Sequence, residues 1–438
     1  MSYLRGQRHR GILDKILKLL NSLSFRVLLA LSLGLAVGAL VAAYGDSAAG
    51  RTIGWLEAVG GLWLNALRMT VVPLIFAVLV GGIAQVSDAA ATGRLALRAL
   101  AWFGGLLALS ALTSLTLSQG LLAVWPVAPE SAQALQAGVS GAAAPVAATA
   151  PDFAVWIRGL APSNPIKAAA DDAILPLVVF AAFTGFAITR LPAARRLALL
   201  DVIEAVGEAM VIIVRWVLWA GPLGVFALGL GVGLRAGVGA AGVLGHYVVV
   251  ASAAGLEIAA LAYLLAIIVG RVPIARWAQA TAPVLATAFA TQSSLACLPA
   301  MVERARDDLG VPARVAGLVL PLAVAVFRFT SPAVNLAVCV FVAHVSGVHP
   351  TLLQYAGAVL VAIAMSIGSV GLPGQVSFIV SVAPICLALG LPTSLLPILL
   401  AVEVVPDIFR TLGNVTGDMA VTQILARGEN PLEPARQA

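Results

Sequence analysis

The sequence predicts an all-α polytopic membrane protein, and its composition and apolar run lengths carry that prediction. Of the 438 residues, 61% are hydrophobic and only 11% are charged, whereas a soluble domain carries about 25% charged residues. The apolar runs are much longer than the ~10-residue alternating strands of a membrane β-barrel. A chain of this length has room for about eight to ten spans once loops are subtracted.

The basic residues set the predicted topology. Five of them precede the first apolar run, which has no convincing cleavage site for a signal peptide, and residues 11–25 can form a basic amphipathic helix on the inner leaflet. The later arginine clusters lie in short connections between apolar runs, so the net charge of +6 is not a nucleic-acid signal. Placing every cluster inside puts both termini in the cytoplasm.

Simple spans come first along the chain. They are predicted near 26–44, 60–86, 98–125, 169–190, 201–232 and 241–270. The segment 126–168 interrupts them; it is rich in Pro, Ala and Ser and low in charge, and is predicted to be an external loop with short helical pieces. Cys297, Cys339 and Cys386 lie in apolar stretches, so we expect packing residues and no disulfide or metal site.

Two later apolar segments are interrupted in the middle. Segment 276–306 is broken at residues 291–299, and segment 350–388 at the Gly/Pro-containing residues 366–374. Each half is too short to cross ~30 Å of hydrocarbon, and a pair of such segments is the best sequence pointer to a transporter's binding site. A predicted full span follows each one, at 311–346 and 391–426. The chain therefore crosses once between the two units, which predicts inverted repeats.

The last apolar segment carries a polar stripe. At about 100° per residue its members fall within roughly 100° of one helix face. Ionisable groups at membrane depth are costly, and they normally mark a substrate or ion path. The alternative is a structural ion-pair network between helices. The stripe consists of Glu403, Asp407, Arg410, Thr411, Asn414 and Asp418.

Several motifs together resemble the glutamate transporter family, also described as the dicarboxylate/amino acid:cation symporters. They are residues 67–76 (LRMTVVPLIF), 222–226 (PLGVF), the serine-bearing first break, the Gly-Leu-Pro-Gly second break and residues 410–418 (RTLGNVTGD). The resemblance implies eight transmembrane helices plus two re-entrant helical hairpins, a homotrimer and an elevator mechanism, in which a transport domain moves against a static scaffold.

In those terms the chain divides into eleven parts. They are a cytoplasmic amphipathic segment (1–25), scaffold helices one and two (26–93), transport-domain helix three (94–125), an extracellular loop with the start of helix four (126–168), scaffold helices four and five (169–235), transport-domain helix six (236–272), the first hairpin (273–308), helix seven (309–347), the second hairpin (348–390), helix eight (391–426) and a cytoplasmic tail (427–438).

The resemblance also implies roles for site residues. Arg410 would hold the substrate's side-chain carboxylate, and Asp407 its α-ammonium group. Thr411 and Asn414 would hydrogen-bond the amino-acid backbone. The α-carboxylate would lie against the first hairpin tip, and the second tip would close over the ligand as a gate. The tip residues are Ser293 and Ser294 in the first hairpin, and Gly371, Pro373 and Gly374 in the second.

One departure from the family pattern concerns the coupling ion. Where the family carries Asn-Met-Asp-Gly-Thr, with sodium ligands, this chain reads Phe327, Arg328, Phe329, Thr330 and Ser331. Aromatic carbon cannot coordinate sodium, and an intramembrane arginine needs a carboxylate partner, here Asp418 or Asp407. We therefore expect Arg328 to take over part of the role of a bound sodium ion. The alternative is that Arg328 pairs structurally and sodium sites survive elsewhere.

Other polar residues are weaker candidates. Asn335 stands where some animal relatives carry a proton-binding glutamate, so that carrier is absent here. Thr113 and Ser114 match the family's hydroxyl pair near a third sodium site, or they serve as polar contacts between helices. Glu257, mid-span in the sixth helix, is expected to pair with a nearby arginine. The proton carrier is expected among Glu403, Asp407 and Asp418.

The sequence thus favours a secondary active symporter for aspartate or glutamate in a bacterial inner membrane. It is expected to be sodium-independent and proton-coupled, with the lipid bilayer, the substrate and a co-transported proton as partners, and with no cofactor, metal or nucleic acid. The alternatives are a C4-dicarboxylate:cation symporter of the same fold and sodium-coupled acidic amino-acid transport. An enzyme or a channel is disfavoured, because no catalytic set accompanies the stripe and broken hairpins suit occlusion of one ligand.

Overall fold

A computed structural model describes residues 23–44, 47–91, 93–139, 158–159, 161–171, 173–236, 239–368 and 374–427. Over these residues the regular structure is helical throughout. The main helices, numbered in chain order, are α1 (Leu23–Tyr44), α2 (Ser47–Arg68), α3 (Val71–Ala91), α4 (Arg94–Val124), α5 (Pro129–Val139), α6 (Pro165–Ala170), α7 (Ile174–Thr189), α8 (Ala193–Trp219), α9 (Gly221–Ala236), α10 (Gly239–Ile268), α11 (Ile274–Thr291), α12 (Ser294–Asp307), α13 (Ala313–Val326), α14 (Thr330–Ser346), α15 (Leu352–Gly368), α16 (Gly374–Ala388), α17 (Leu396–Val402) and α18 (Val404–Ala426).

Helix length and hydropathy support a polytopic membrane protein. Among the described residues, five helical runs are long and apolar enough to cross a membrane. They are Phe25–Tyr44, Thr52–Ser87, Arg94–Val124, Ala241–Ile268 and Ala313–Ser346. Shorter apolar helices, including α7, α9 and α15, accompany them. The predicted count of eight spans with two re-entrant hairpins remains a prediction.

The first half of the chain packs through close backbone contacts. Helix α1 lies against α9, and α9 also contacts α2. Glycines let α1 and α9 approach: a Cβ on Gly38 would lie 2.7 Å from the Leu234 nitrogen, and one on Gly34 would lie 2.6 Å from the Phe226 carbonyl oxygen. Small residues at such crossings are the usual means by which membrane helices come together.

The second half of the chain surrounds the last helix. Helix α18 packs against α10, and also against the α11–α12 pair, α13 and α14. Glycines again permit the close approach, since a Cβ on Gly255 would lie 2.9 Å from the Phe409 Cβ. The polar stripe on α18 therefore faces protein on several sides.

Two pairs of short helices are consecutive in the chain and pack together. Helices α11 and α12 meet at Gln292, which has a left-handed conformation (φ 50°, ψ 34°). Helices α15 and α16 form the second pair. The first break is therefore narrower than the predicted 291–299, because Pro299 lies inside α12. The described part of the second break ends at Gly368 and resumes at Gly374.

Four of the apolar segments predicted as spans contain a local break in the helix. Within 60–86, 201–232, 311–346 and 391–426, the helices break at 69–70, 220, 327–329 and 403. The runs Thr52–Ser87 and Ala313–Ser346 are nevertheless long and apolar enough to cross a membrane. Each break lies two to five residues before a proline, which lacks the N–H that would bond four residues back. The prolines are Pro73, Pro222, Pro332 and Pro406. The sequence prediction placed no break within these four segments.

Candidate functional site

Glu403 sits at the break between α17 and α18. Pro406 cannot donate a hydrogen bond to the Val402 carbonyl, so the helix is interrupted at Glu403 and restarts at Val404. The Glu403 side chain is buried, as are the side chains of Arg410 and Asn414 further along α18. The proline thus sets the acid at the start of the helix that carries its partner, Arg410.

The Arg410 guanidinium makes two hydrogen bonds and one longer ion-pair contact. Its Nη2 donates to Glu403 Oε1 at 2.8 Å, its Nη1 donates to Asn335 Oδ1 at 2.7 Å, and its Nε lies 3.8 Å from Asp407 Oδ1. The Tyr247 hydroxyl donates to the second oxygen of Glu403. Because both charges are paired and hydrogen-bonded, the guanidinium can remain buried in a defined orientation.

The seventh apolar segment is unwound at residues 327–329. Pro332 cannot bond to the Arg328 carbonyl, which instead accepts from Ser331 N at 2.9 Å and from Ser366 Oγ at 3.1 Å. The unwound stretch is tied to α18 through Thr330. The Thr330 backbone N–H donates to Asn414 Oδ1 at 2.9 Å, and its hydroxyl lies 2.8 Å from the same oxygen and 2.9 Å from the Arg410 carbonyl.

This contact defines what Asn414 can offer a ligand. Its amide oxygen is occupied by Thr330, and the backbone N–H donor fixes which end of the amide is oxygen. The NH₂ group of Asn414 therefore remains as the donor toward a ligand. The Thr411 hydroxyl donates to the Asp407 carbonyl at 2.9 Å within the same helix, which leaves its oxygen lone pairs as acceptors.

Aromatic rings fill the space beside the unwound stretch. Phe327 stacks on Phe103 with ring centroids 4.5 Å apart, and on Phe329 with centroids 5.3 Å apart. Phe327 and Phe329 are fully buried. Gly417 on α18 leaves room for the Phe329 ring, since a Cβ there would lie 2.6 Å from Phe329 Cδ1. The two phenylalanines therefore present carbon, with no oxygen ligand, to this part of the site.

Asp418 is a buried carboxylate. It is 1% exposed, and within the described part of the chain neither carboxylate oxygen has a hydrogen-bond partner. Asp418 interacts with the positive charge of the Arg328 guanidinium. Arg328 also interacts favourably with Asp407, whereas Arg410 repels it. Both carboxylates expected as partners of Arg328 thus lie within its electrostatic reach.

The first tip presents serines and backbone donors. Ser293 has an extended backbone and caps α12, its Oγ accepting from Ala296 N at 3.3 Å. Ser294 is the first residue of α12, so its N–H lies among the unpaired donors of that helix start. In the second tip Gly371 and Pro373 lie outside the described residues, and Gly374 begins α16.

Two further expectations concern α4 and α10. Ser114 Oγ donates to the Ala333 carbonyl at 3.0 Å, so it joins α4 to α14. Glu257 was expected to pair with an arginine, and this is wrong: its carboxyl group is hydrogen-bonded to Thr113 on α4. Across the described part of the chain, no group of three or more His, Cys, Asp or Glu side chains could hold a metal ion.

Comparison with known proteins identifies the family. The sequence model of the sodium:dicarboxylate symporter family matches residues 23–427. The chain belongs to the sodium:dicarboxylate symporter family. The resemblance read from the motifs is therefore confirmed.

The symporter's relatives differ in substrate. It is 25% identical to the proton/glutamate-aspartate symporter of Escherichia coli (strain K12), over 94% of each chain. It is 30% identical to the neutral amino acid transporter A of Homo sapiens, over 91% of this chain and 81% of that protein. It is 28% identical to the C4-dicarboxylate transport protein of Rhodopseudomonas palustris (strain BisB18), over 94% of this chain and 88% of that protein. The chain is accordingly a membrane symporter of the dicarboxylate and amino-acid class.

Sequence reasoning missed several residues that shape this symporter's site. Tyr247 on α10 contacts Glu403, Phe103 on α4 stacks on Phe327, and Thr330 ties the unwound stretch to α18. Pro332 was the available signal for the unwound stretch. Tyr247 and Phe103 lie within long helices and carried no such signal, because their roles depend on which helices become neighbours.

Proposed function

We propose that this symporter carries acidic amino acids such as aspartate and glutamate across the bacterial inner membrane without sodium, coupled to protons. The observation that carries the proposal is the buried stack of Phe103, Phe327 and Phe329, with Arg328 between the latter two. By the family resemblance, relatives place sodium-ligating oxygens at the two phenylalanine positions. Here carbon and a fixed positive charge replace them.

Charge and hydrogen bonding favour an acidic amino acid as the substrate. Arg410 suits a side-chain carboxylate, because a guanidinium binds it in a bidentate, charge-assisted manner. Asp407, 3.8 Å from Arg410, suits an α-ammonium group. The α-carboxylate would take donors from the Asn414 NH₂ group, the first tip at Ser293 and Ser294, and a second tip closing at Gly371, Pro373 and Gly374.

The charge balance of the site explains why protons would be co-transported. Arg328 and Arg410 face three carboxylates, those of Glu403, Asp407 and Asp418, which leaves one excess negative charge when all are ionised. An acidic amino acid adds another. Net charge at membrane depth is costly, so protons on the carboxylates would neutralise the loaded site. Glu403 and Asp407 interact with each other and with Arg410, and Arg328 interacts with both Asp407 and Asp418, so protonation of one acid would affect the next.

Transport itself would follow the elevator scheme of the family, with the protein as a homotrimer. The α11–α12 pair and α18 would belong to the moving domain, while α1 and α9 would belong to the scaffold. Arg328 would travel with the moving domain as a permanent counter-charge, where relatives load sodium in each cycle. This removes the need for sodium to assemble the substrate site.

The competing functions are C4-dicarboxylate transport and sodium-coupled acidic amino-acid transport. The first is favoured by the R. palustris relative, but Asp407 would repel a second carboxylate from a dicarboxylate substrate. The second requires oxygen ligands that Phe327 and Phe329 do not supply.

The deciding experiment is uptake into proteoliposomes with each gradient imposed separately. Labelled aspartate, glutamate and succinate are compared under a sodium gradient, an inward proton gradient and a membrane potential. We expect a proton gradient to accelerate aspartate or glutamate uptake, and replacement of sodium by choline to change nothing. Substrate affinity that rises steeply with sodium would refute sodium independence.

Variants at Arg328 give the matched test. Arg328→Met should weaken substrate binding in the absence of sodium, because the carboxylates lose their cation, and sodium dependence should not return. Arg304→Met is the control, since Arg304 pairs with Glu303 and Asp308 at a partly exposed position on α12. Unchanged affinity in Arg328→Met would mean that the arginine has only a structural role.

A further inference from the structure

A carboxyl group that the proposed site does not use lies between α4 and α10. Glu257 is near the middle of α10, and its carboxyl group is hydrogen-bonded to the Thr113 side chain, near the middle of α4. The other carboxyl oxygen of Glu257, Oε2, is buried and has no hydrogen-bond partner among the residues that the structure describes. The pair is thus one acid and one hydroxyl at membrane depth.

Glu257 has no counter-charge among the described residues. Its electrostatic partners are limited to Thr113, although several helices pack against α10. None of the titratable or charged groups on those helices or on α10 itself forms an ion pair or hydrogen bond with Glu257. These groups are Arg94, Arg98, Glu130, Arg235, His246, Tyr247, Tyr263, Arg276, Cys339, His344, Glu403, Asp407, Arg410 and Asp418.

The contrast with Glu403 shows what this environment favours. Glu403 receives hydrogen bonds from Arg410 and Tyr247, so its negative charge is compensated. Glu257 has a single hydroxyl neighbour. An ionised carboxylate left uncompensated at membrane depth is strongly disfavoured, whereas a neutral acid can donate to or accept from Thr113.

The position of Glu257 also gives it a route to the membrane. Leu256, the preceding residue on α10, is 51% exposed, and Ala260, one turn further along, is exposed as well. Glu257 itself is half-buried. Glu257 therefore lies beside exposed apolar residues on the surface of α10.

We propose that Glu257, held by Thr113, is a proton-binding site separate from the charged stripe of α18. The bound species is a proton, and the protonated acid is the form in which α10 moves through the membrane during transport. That second part rests on the proposed function. In the family resemblance the Thr113 position lies near a sodium site, and here the neighbouring glutamate makes it a site for a proton.

Carbodiimide labelling tests protonation directly and does not depend on transport. A protonated carboxyl group transfers its proton to a carbodiimide nitrogen while its oxygen adds to the central carbon; the resulting O-acylisourea rearranges to a stable N-acylurea. A hydrophobic carbodiimide such as dicyclohexylcarbodiimide dissolves in the bilayer, which Glu257 borders. We expect mass spectrometry to find the adduct on Glu257 at pH 7, and labelling to fall as pH rises.

The outcomes of labelling separate the alternatives. Absence of adduct on Glu257 between pH 6 and 8 would overturn the proposal. Protection by sodium at constant pH would also overturn it, since the site would then bind a metal cation. Thr113→Val should change the pH at which labelling is half-maximal. Glu204→Gln, exposed on α8, should leave labelling unchanged.

Proton flux measures the consequence for transport. Glu257→Gln imitates the protonated acid permanently, so the protons moved per substrate should fall by one, with substrate affinity at acidic pH retained within about twofold. Glu257→Asp, which keeps the acid, should keep the wild-type ratio. An unchanged ratio in Glu257→Gln would remove Glu257 from coupling. If wild-type uptake moves no protons, the proposed function fails, while the labelling result still decides whether Glu257 binds one.

Discussion

In the proposed function, Arg410 and Asp407 divide the recognition of an acidic amino acid between them. Arg410 is already paired with Glu403 at 2.8 Å and with Asn335 at 2.7 Å, so a substrate carboxylate meets a guanidinium whose orientation is fixed. Asp407 lies beside it, with 15% of its side chain exposed. Of the acids around Arg410, Asp407 is therefore better placed than the buried Glu403 to meet a ligand.

Replacing Asp407 should change the substrate class. Asp407→Ser removes the partner of an α-ammonium group and the charge that repels a second carboxylate. We expect aspartate affinity to fall by about tenfold to a hundredfold, as for a lost hydrogen bond to a charged group, and succinate to compete better than before. Competition binding of succinate against labelled aspartate measures both changes.

The control for this change is an acid outside the site. Asp201→Ser, exposed on α8, should leave the ranking of substrates unaltered. If Asp407→Ser also keeps the wild-type order of substrate affinities, the acid serves to hold Arg328 and does not bind the substrate's ammonium group.

The residue identities at the site were largely predictable, but their partners were not. The helical spacing of the polar residues predicts that they form a stripe on one face of α18. Because charged residues inside a membrane are energetically costly, their presence there indicates a functional role. Spacing cannot show that Asn335 accepts from Arg410 or that Glu257 meets Thr113, because both contacts join helices far apart in sequence. The prediction that an arginine would lie beside Glu257 was wrong for this reason.

At the scale of elements, the unwound stretch before α14 is held in place by α18. Thr330 contributes both its backbone N–H and its hydroxyl to Asn414, and its hydroxyl also lies 2.9 Å from the Arg410 carbonyl. Thr330 is fully buried, so these groups have no water to replace a lost partner. The position of Arg328, two residues earlier, depends on this attachment.

Thr330→Val should therefore weaken both folding and substrate binding. The variant keeps the shape of the side chain and removes the hydroxyl, which should cost about 1–3 kcal/mol of unfolding free energy for a buried hydrogen-bonded group. Substrate affinity should fall as well, since Asn414 and Arg328 lose a fixed neighbour. Thermal unfolding in detergent and aspartate binding are the two measurements.

Thr416→Val, on α18, is the matched control. Thr416 is also buried, but its hydroxyl donates within α18, to the Leu412 carbonyl at 2.7 Å. It should cost less stability and leave aspartate affinity unchanged. Equal effects of the two substitutions would show that Thr330 does not specifically support the site.

The helix breaks mark the limit of prediction at this scale. The breaks before Pro332 and Pro406 shape the site, and both prolines are visible in the sequence. Yet Pro283, Pro299, Pro321 and Pro384 lie inside helices without ending them. A proline inside any helix removes one backbone hydrogen bond. Whether the helix then opens depends on whether another donor, such as Ser366 Oγ for the Arg328 carbonyl, bonds to the carbonyl that has lost its partner.

At the scale of the whole molecule, close glycine contacts join α1 to α9, whereas the charged site is built from residues on other helices. Helices α1 and α9 meet through Gly34, Gly38, Gly229 and Gly233, whose missing side chains let the backbones touch. The site residues lie on α14, α18 and the helices around them. Stability of the first half and affinity at the site should therefore respond to different substitutions.

A pair of glycine substitutions tests this separation. In Gly38→Ala the new Cβ would lie 2.7 Å from the Leu234 nitrogen and 2.9 Å from the Gly233 Cα, so α1 and α9 must move apart. In Gly54→Ala, on α2, the new Cβ meets nothing within 4 Å. Overpacking typically costs about 1–3 kcal/mol, whereas alanine in an open helical position gains up to about 1 kcal/mol over glycine.

We expect Gly38→Ala to lower the unfolding temperature in detergent and Gly54→Ala to keep or raise it, with aspartate affinity unchanged in both. Loss of affinity in Gly38→Ala at temperatures where the protein stays folded would show that the packing of α1 against α9 reaches the binding site.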